Sequence, residues 1–126
     1  VDVKTSGYGQ RRFVMSRGGR WTDENCSRFG FIIRYPFYGK KTTMVTYEPW
    51  HLRYVGYPHA EIISRMRITL EDYYGIFENG KYYEYGDYLI SHQTSDDGLI
   101  YLPENIGDVK VSPDNMGGYI VTVKVK

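Results

Sequence analysis

The rest of this chain is organised around the residues YEPWHLRYVG, which run from Tyr47 to Gly56. It places the carboxylate of Glu48 three residues before the imidazole of His51. A metal-bound imidazole beside a proton-accepting carboxylate is an arrangement that metallohydrolases use. An exposed glutamate near a partly buried histidine is the alternative, and the spacing alone favours it because such pairs arise by chance.

Composition sets wide limits on the function. The 126 residues suffice for one domain with a core, and 16 Lys+Arg against 15 Asp+Glu leave no charge excess that would indicate nucleic acid. The 14 tyrosines suit contact with sugar or peptide, or simply a tyrosine-rich sheet surface. Cys26 is the single cysteine, so no internal disulfide is possible. The sequence has no signal peptide and no apolar run of membrane length. It begins at Val1 without a methionine, directly in a strand-like stretch, which predicts a fragment or processed product.

The first part of the sequence predicts a strand, a loop, a helix and a hairpin. Residues 1–4 alternate apolar and polar side chains as a half-buried strand does, and the glycine-rich residues 6–19 predict a long loop. Residues 22–28 predict a short helix whose first residue, a threonine, is the cap. Residues 29–35 and 42–47 predict the two strands of a hairpin.

Prolines place the next boundaries. Pro49 biases Glu48 toward an extended conformation, so Glu48 is expected to end its strand and the chain to turn at once. Residues 58–67 begin with a proline and predict a helix with an apolar face, and residues 69–77 predict a second, shorter helix.

The C-terminal part of the sequence predicts strands. Residues 82–92 predict a strand with a bulge at Gly86, and residues 99–102 predict a short strand. Residues 109–111 and 121–126 alternate apolar and polar side chains around a turn, which predicts a closing hairpin. Mixed helices and strands of this kind indicate the α+β class with an antiparallel sheet.

Two strings together carry a family resemblance. FGFIIRYP, from Phe29 to Pro36, and YEPWHLRYVG match the signatures FGFI-x-RYP and YEPWH-x-RYVG, so the chain resembles the VanY-type zinc carboxypeptidases of bacterial cell walls. The helical run 59–74 is similar to the final helix of that family. The resemblance covers residues 1 to about 78.

The resemblance implies a fold like that of Hedgehog and the D-Ala-D-Ala peptidases, an antiparallel sheet with short helices on one side. Residues 1–78 are then the C-terminal part of a peptidase domain. Residues 79–126 are then a β-hairpin extension, which would serve as a lid, a wall-binding surface, an oligomer contact, or only as cover for a sheet edge.

The resemblance also implies roles for individual residues. Glu48 corresponds to the general base of the family and His51 to a zinc ligand. Asp2 corresponds to the aspartate ligand that ends a second motif, S-x-H-x-x-G-x-x-x-D. The histidine of that motif is expected seven positions before Asp2, outside this chain, and the substrate-clamping arginine is also expected upstream.

Further side chains of the two strings are candidates for substrate binding or for support of the metal site. Trp50 is expected to pack beside the site and orient His51, and Tyr47 to line the pocket or fill the core. An arginine fork can bind a C-terminal carboxylate, which makes Arg34 and Arg53 candidates. A structural ion pair or stacking on Tyr35 or Trp50 is the alternative, and it is the favoured interpretation.

The other histidines do not complete the metal site. The surroundings of His92 echo the second motif, but Ser95 stands where its glycine should be and Leu99 where its aspartate should be. A histidine at a strand end is the better interpretation of His92. His59 is expected to be a surface or helix-end residue.

The resemblance implies a zinc metallocarboxypeptidase that removes a terminal D-alanine from peptidoglycan stem peptides or precursors. Removal of this residue would serve cell-wall remodelling or glycopeptide resistance. Cleavage between an L- and a D-residue is an alternative specificity. The expected location is extracytoplasmic, in the cell envelope, with membrane contact only through an N-terminal anchor outside this chain. The alternative is a non-catalytic fragment or peptidoglycan-binding module with an incomplete metal site.

Overall fold

The computed structural model describes residues 1–104 and 106–125, which form two compact units, Val1–Tyr73 and Tyr74–Lys126. Both units contain antiparallel strands, and the helices lie mainly in the first, so the predicted α+β class is confirmed. The predicted roles of residues 1–78 and 79–126 stay predictions.

The helices and strands have the following bounds. The α-helices are α1 (Arg17–Asn25), α2 (Lys40–Thr43), α3 (His59–Met66) and α4 (Leu70–Ile76), and 3-10 helices cover Gln10–Met15 and Cys26–Phe29. The strands are β1 (Phe31–Tyr35), β2 (Glu48–Tyr54), β3 (Tyr83–Tyr85), β4 (Tyr88–Thr94), β5 (Ile106–Pro113) and β6 (Gly118–Val125). None of the described helices is long and apolar enough to cross a membrane.

The predicted long loop over residues 6–19 is wrong, because the second half of this segment is helical. Ser16 caps α1, and its Oγ accepts a hydrogen bond from the Gly19 amide at 2.9 Å. Gly19 looks like a helix breaker, but a Cβ there would lie 1.9 Å from the carbonyl oxygen of Phe13. Thr22, the predicted cap, lies inside α1 and donates its hydroxyl to the Gly18 carbonyl at 2.8 Å.

The predicted hairpin exists, but its second strand is displaced. Residues 42–47 do not form that strand; β2 begins at Glu48 and pairs antiparallel with β1. The register is irregular between Ile33 and Tyr35, and Pro49 lies in β2 at this irregularity, where a missing backbone donor costs least. Glu48 therefore begins a strand rather than ending one.

The N-terminal residues extend this small sheet on the free side of β2. The Val3 amide donates to the Trp50 carbonyl at 2.8 Å, and the Leu52 amide donates to the Val1 carbonyl at 2.8 Å. The predicted strand over residues 1–4 is thus an extended segment with one bridge pair, Asp2 and His51.

The two predicted helices after Pro58 are confirmed as α3 and α4. The Asp72 amide donates to the hydroxyl of Thr69 at 3.0 Å, which caps the start of α4. Both helices contribute to the core of the first unit, whose most buried apolar residues are Phe13, Ile32, Leu52, Ala60, Ile62, Ile63, Leu70 and Tyr73.

The second unit is a four-stranded antiparallel sheet in the order β3-β4-β6-β5. Gly86 has a φ of 55° and lies in the tight turn between β3 and β4, so the predicted bulge is a turn. The predicted closing hairpin is confirmed as β5 and β6, while Lys126 lies outside the described residues. The strand predicted over residues 99–102 is absent from the described structure. The side-chain amide of Gln93 bonds the Tyr101 backbone there instead, accepting from its N–H at 2.8 Å and donating to its carbonyl at 2.9 Å.

Candidate metal centre

The Asp2 and His51 side chains meet because their backbones are opposite each other in an antiparallel bridge. Val1 and Leu52 exchange both backbone hydrogen bonds, at 2.6 and 2.8 Å. The next pair along such a ladder is not hydrogen-bonded, and its side chains stand closest together on the same face. Oδ1 of Asp2 accordingly lies 3.5 Å from Nδ1 of His51.

Glu48 reaches the same ring nitrogen from within β2. Its Oε2 lies 3.2 Å from Nδ1 of His51. Residues three apart in a regular strand point to opposite faces, so this contact requires the irregular register of the β1–β2 pair. The proline and the irregularity together bring the carboxylate to the imidazole.

The cluster is open to solvent, and its chemistry suits a divalent cation. The side chains of His51, Asp2 and Glu48 are 36%, 50% and 27% exposed. Imidazole nitrogen and carboxylate oxygen are normal zinc ligands, and Nδ1 of His51 is the nitrogen that faces both acids. Among residues 1–104 and 106–125, no group of three or more His, Cys, Asp or Glu is arranged to hold a metal ion. Asp2 and His51 thus fit zinc chemically but supply fewer than the three ligands of a catalytic site.

Tyr35 contacts the His51 ring and is itself contacted by Arg34. The Tyr35 ring meets the His51 ring edge-on, with centroids 5.1 Å apart and planes at 77°. The Arg34 guanidinium lies 4.9 Å from the centre of the Tyr35 ring and forms an ion pair with Glu71 of α4. An ion pair or ring stacking of this kind was the favoured interpretation of Arg34 from the sequence, and Arg34 makes both contacts.

Glu71 was not singled out from the sequence as a site residue, and Tyr35 was expected only as a ring on which an arginine would stack. Burial raises the carboxyl pKa of Glu71, but the Arg34 hydrogen bond, a backbone amide and the Arg34 charge outweigh it, so the pKa lies below its ordinary value. Tyr35 lies in the RYP part of the first string, which was a signal for it. Glu71 carried no signal, because its partner is 37 residues away in the sequence.

The remaining candidates lie in different surroundings. Tyr47 lines a cavity of about 280 Å³ whose lining does not include the metal-site residues, and burial, helped by the charge of Asp23, raises the pKa of its phenol. Trp50 accepts the Val3 amide through its carbonyl and so helps fix the segment that carries Asp2. Arg53 is half-buried in β2, opposite Ile32 of β1.

The other two histidines are engaged elsewhere. His59 is the first residue of α3, so the predicted helix-end position is confirmed, but it is buried rather than on the surface, with Nδ1 2.7 Å from the Tyr73 hydroxyl. Burial lowers its pKa to about 4. His92 lies within β4, where Nε2 is 2.7 Å from Oδ2 of Asp114 and the ring stacks on Tyr74.

Comparison with known proteins places the metal-site residues inside a family match. Residues 1–57 match the family model VanY, described as D-alanyl-D-alanine carboxypeptidase. A D-alanyl-D-alanine carboxypeptidase of Enterococcus faecium is 37% identical over 114 residues, covering 83% of this chain and 36% of the relative. The putative carboxypeptidase YodJ of Bacillus subtilis is 45% identical over 75 residues, covering 59% of this chain and 28% of the relative. The chain therefore spans about a third of the length of these curated relatives.

Solved structures of peptidases are similar in fold to this chain. The vancomycin-resistance D,D-dipeptidase VanXYg, in complex with a D-Ala-D-Ala phosphinate analogue, has a TM-score of 0.67 and 29% identity over 81% of this chain and 44% of its own. The LD-carboxypeptidase LdcB has a TM-score of 0.52 and 41% identity over 55% of this chain and 33% of its own. The likeness confirms the D-Ala-D-Ala-peptidase fold. The matches that cover 83% and 81% of the chain also extend past residue 78, farther than the sequence strings indicated.

Proposed function

Since residues 1–57 belong to the VanY family of D-alanyl-D-alanine carboxypeptidases, we propose that this chain carries the general base and two zinc ligands of such an enzyme. The substrate class is a peptidoglycan stem peptide or precursor that ends in D-alanine. The observation that carries the proposal is the convergence of Asp2 and Glu48 on one nitrogen of His51. The name of the Enterococcus faecium relative and the ligand of VanXYg support the substrate class.

Zinc held by Asp2, His51 and one further ligand would supply Lewis-acid activation of water and of the scissile carbonyl. Glu48 takes the proton of the attacking water at its carboxylate and returns it to the leaving amine of D-alanine. Its side chain is 27% exposed, so water reaches the carboxylate. Tyr35, packed on the ring by Arg34, holds the imidazole of His51 in one orientation.

The third ligand belongs to the proposal as well. We place it on a histidine seven positions before Asp2 in the parent sequence. Cleavage between two D-residues is the favoured specificity because of the family match, and the likeness to LdcB supports an L,D-specific enzyme as the second candidate. The proposal includes a location in the cell envelope, outside the cytoplasm, because assembled peptidoglycan lies there.

The test is D-alanine release by the parent protein, expressed with the segment that precedes Val1 and loaded with zinc. Stem peptides ending in D-Ala-D-Ala and stem tetrapeptides ending in a single D-alanine separate the D,D and L,D activities. Replacing Glu48 by glutamine should lower kcat by about 10³-fold, the usual contribution of a general base, without changing the zinc content. Glu24→Gln, an exposed position in α1, is the matched control and should be fully active.

Two outcomes would overturn the proposal. Turnover by Glu48→Gln at the wild-type rate would show that Glu48 is not the general base. Binding of stem peptide with no D-alanine released by the zinc-loaded parent protein would favour the alternative, a peptidoglycan-binding module with an incomplete metal site.

A further inference from the structure

The connection between β1 and β2 presents a surface that is both apolar and basic. Phe37 is 80% exposed and Met44 is 82% exposed. One open depression is lined by Phe37, Tyr38, Lys40, Lys41 and Met44. These five residues are called the hairpin patch below. Exposed apolar side chains grouped on one surface are a feature of interaction sites.

The patch is held in place by the backbone around it. The Gly39 amide donates to the Pro36 carbonyl at 3.0 Å, and a Cβ on Gly39 would lie 2.7 Å from Cγ2 of Thr69, so the loop is packed tightly on the body. Met44 ends α2 in the left-handed conformation, with a φ of 61°, which non-glycine residues seldom adopt. The exposure of Phe37 and Met44 therefore belongs to a defined loop conformation.

The charge of the loop has one sign. Residues 36–45 contain Lys40 and Lys41 and no aspartate or glutamate. Neither lysine forms an ion pair within the part of the chain that the structure describes. Two ammonium groups thus stand beside exposed phenylalanine and methionine side chains, free to meet an anionic surface.

Other charged groups act on Tyr38 of the patch. The Arg67 guanidinium lies 5.7 Å from the centre of the Tyr38 ring. Burial raises the pKa of the Tyr38 phenol, Arg67 lowers it, and the carboxylates of Asp23 and Asp72 raise it. One guanidinium and two carboxylates therefore act on Tyr38 of the patch, and Lys40 and Lys41 are exposed.

We propose that the hairpin patch docks on a membrane surface rich in anionic lipids. Phe37 and Met44 enter the headgroup region, and Lys40 and Lys41 contact lipid phosphates with their stems along the apolar boundary. The cores of protein–protein interfaces are depleted in lysine, which favours a bilayer over a protein partner. Contact through one small patch is reversible and strengthens any second anchor.

This proposal is independent of the peptidase proposal. It also changes the sequence-based expectation that membrane contact would come only through an N-terminal anchor. Two lysines are not a polybasic run, so no signal for this surface is present in the sequence. The structure brings Phe37 and Met44 to the same surface as the lysines.

The experiment is co-sedimentation of the 126-residue chain with vesicles at low salt. Vesicles of phosphatidylglycerol and phosphatidylcholine in equal parts should bind the protein, and vesicles of phosphatidylcholine alone should not. Each of Lys40→Gln and Lys41→Gln should weaken binding about fivefold, and raised ionic strength should weaken it further. Met44→Ser should weaken binding about tenfold through lost apolar burial.

The control is Met116→Ser, a methionine with 81% exposure between β5 and β6, which should bind like the wild type. Phe37 also packs edge-on against Tyr47 at 5.7 Å, so Phe37→Ser is interpreted only with an unchanged circular dichroism spectrum. Equal binding to both vesicle types, no binding to either, or equal losses in Met44→Ser and Met116→Ser would overturn the proposal. Binding to a protein in place of anionic vesicles would do the same.

Discussion

Asp2 and His51 face each other as the non-hydrogen-bonded pair of an antiparallel bridge, with Oδ1 and Nδ1 3.5 Å apart. The pairing of Val1 with Leu52 and of Val3 with Trp50 fixes this relation through the backbone. The backbone pairing thus brings together two potential ligands that are far apart in the sequence. No loop has to close on the metal to position them.

The bridge predicts the effect of removing the Asp2 charge. Asp2→Asn keeps the backbone pairing and the shape of the side chain but loses the anionic ligand. We expect the zinc affinity of the parent protein to fall by more than the roughly 10- to 100-fold that loss of an outer hydrogen-bond partner costs. Chelator competition and the visible absorbance of bound cobalt measure it. The control is Asp87→Asn, in the exposed turn between β3 and β4, which should change neither the zinc affinity nor the cobalt absorbance. An Asp2→Asn protein with wild-type zinc affinity would contradict the assignment of Asp2 as a ligand.

The edge contact of Tyr35 with His51 predicts different results for two substitutions. Tyr35→Phe keeps the ring that meets His51 and lies under Arg34, whereas Tyr35→Leu removes both contacts. An aromatic pair contributes about 0.5–1.5 kcal/mol beyond its burial, so we expect Tyr35→Leu alone to lower the unfolding free energy by at least about 1 kcal/mol. Tyr35→Leu should also weaken cobalt binding. Denaturant unfolding and cobalt titration check this, and equal effects of the two variants would refute the role of the ring.

The YEPWHLRYVG stretch located the Glu48–His51 pair, but its local structure could not be predicted from the proline alone. Pro49 correctly indicated an extended Glu48, yet strand pairing with β1 continues through it because the register slips there. The resemblance supplied Asp2, while the physical reason for its position, a bridge to His51, is a long-range pairing that periodicity does not contain. Arg34 was placed correctly in a structural ion pair, but its partner Glu71 had no local signature.

The other incorrect predictions from the sequence also result from contacts between residues that are not adjacent in the sequence. Gly19 reads as a loop signal, although it is required inside a capped helix where Phe13 passes too close for a side chain. Residues 99–102 read as a strand, but the Gln93 side chain takes the hydrogen bonds of Tyr101 that a neighbouring strand would otherwise make. The helix-end position of His59 could be predicted, but its burial could not, because it depends on Tyr73 of another helix.

The Arg34–Glu71 pair predicts an acid-dependent loss of stability. The folded pKa of Glu71 lies below its unfolded value, so the pair stabilises the fold above the unfolded pKa, near 4.5, and this stability is lost as the pH falls through the folded pKa. At pH 7, Glu71→Gln should cost about 1–3 kcal/mol, since it leaves a partly buried guanidinium without its charged partner. Denaturant unfolding at pH 7 and pH 3 measures this, and the difference between variant and wild type should shrink at the lower pH. A difference that grows on acidification would contradict the pair's role.

His59 predicts a second pH dependence, at higher pH. Burial lowers its pKa from 6.5 to about 4, so the unfolded chain binds the proton first as the pH falls. Stability is therefore full above pH 6.5 and declines between pH 6.5 and 4, by up to about 3 kcal/mol at about 1.4 kcal/mol per pKa unit. His59→Gln removes the titration while keeping a polar group near the Tyr73 hydroxyl. Its unfolding free energy should be lower than wild type at pH 7.5 and flatter with pH, and a variant with the same slope as wild type would exclude His59 as the cause.

Gly118 predicts a defect in the second unit. A Cβ at this position would lie 2.6 Å from Oδ2 of Asp114 and 3.1 Å from Nε2 of His92, which themselves form the 2.7 Å contact between β4 and the β5–β6 turn. Burial raises the pKa of Asp114, but His92 and the amides of Met116 and Gly118 outweigh it and hold it below its ordinary value, so the carboxylate is ionised at neutral pH. Gly118→Ala should separate Asp114 from His92 and lower the unfolding free energy by about 1–3 kcal/mol.

The matched control is Gly75→Ala in α4, where a Cβ meets nothing within 4 Å and a helical alanine should add about 0.5–1 kcal/mol. Denaturant unfolding of both variants, with the imidazole resonances of His92 followed by NMR, checks the prediction. Loss of the Asp114 contact should move the His92 resonances in Gly118→Ala and leave them unchanged in Gly75→Ala. Unshifted His92 resonances in Gly118→Ala, at unchanged stability, would show that the turn accommodates a methyl group without breaking the pair.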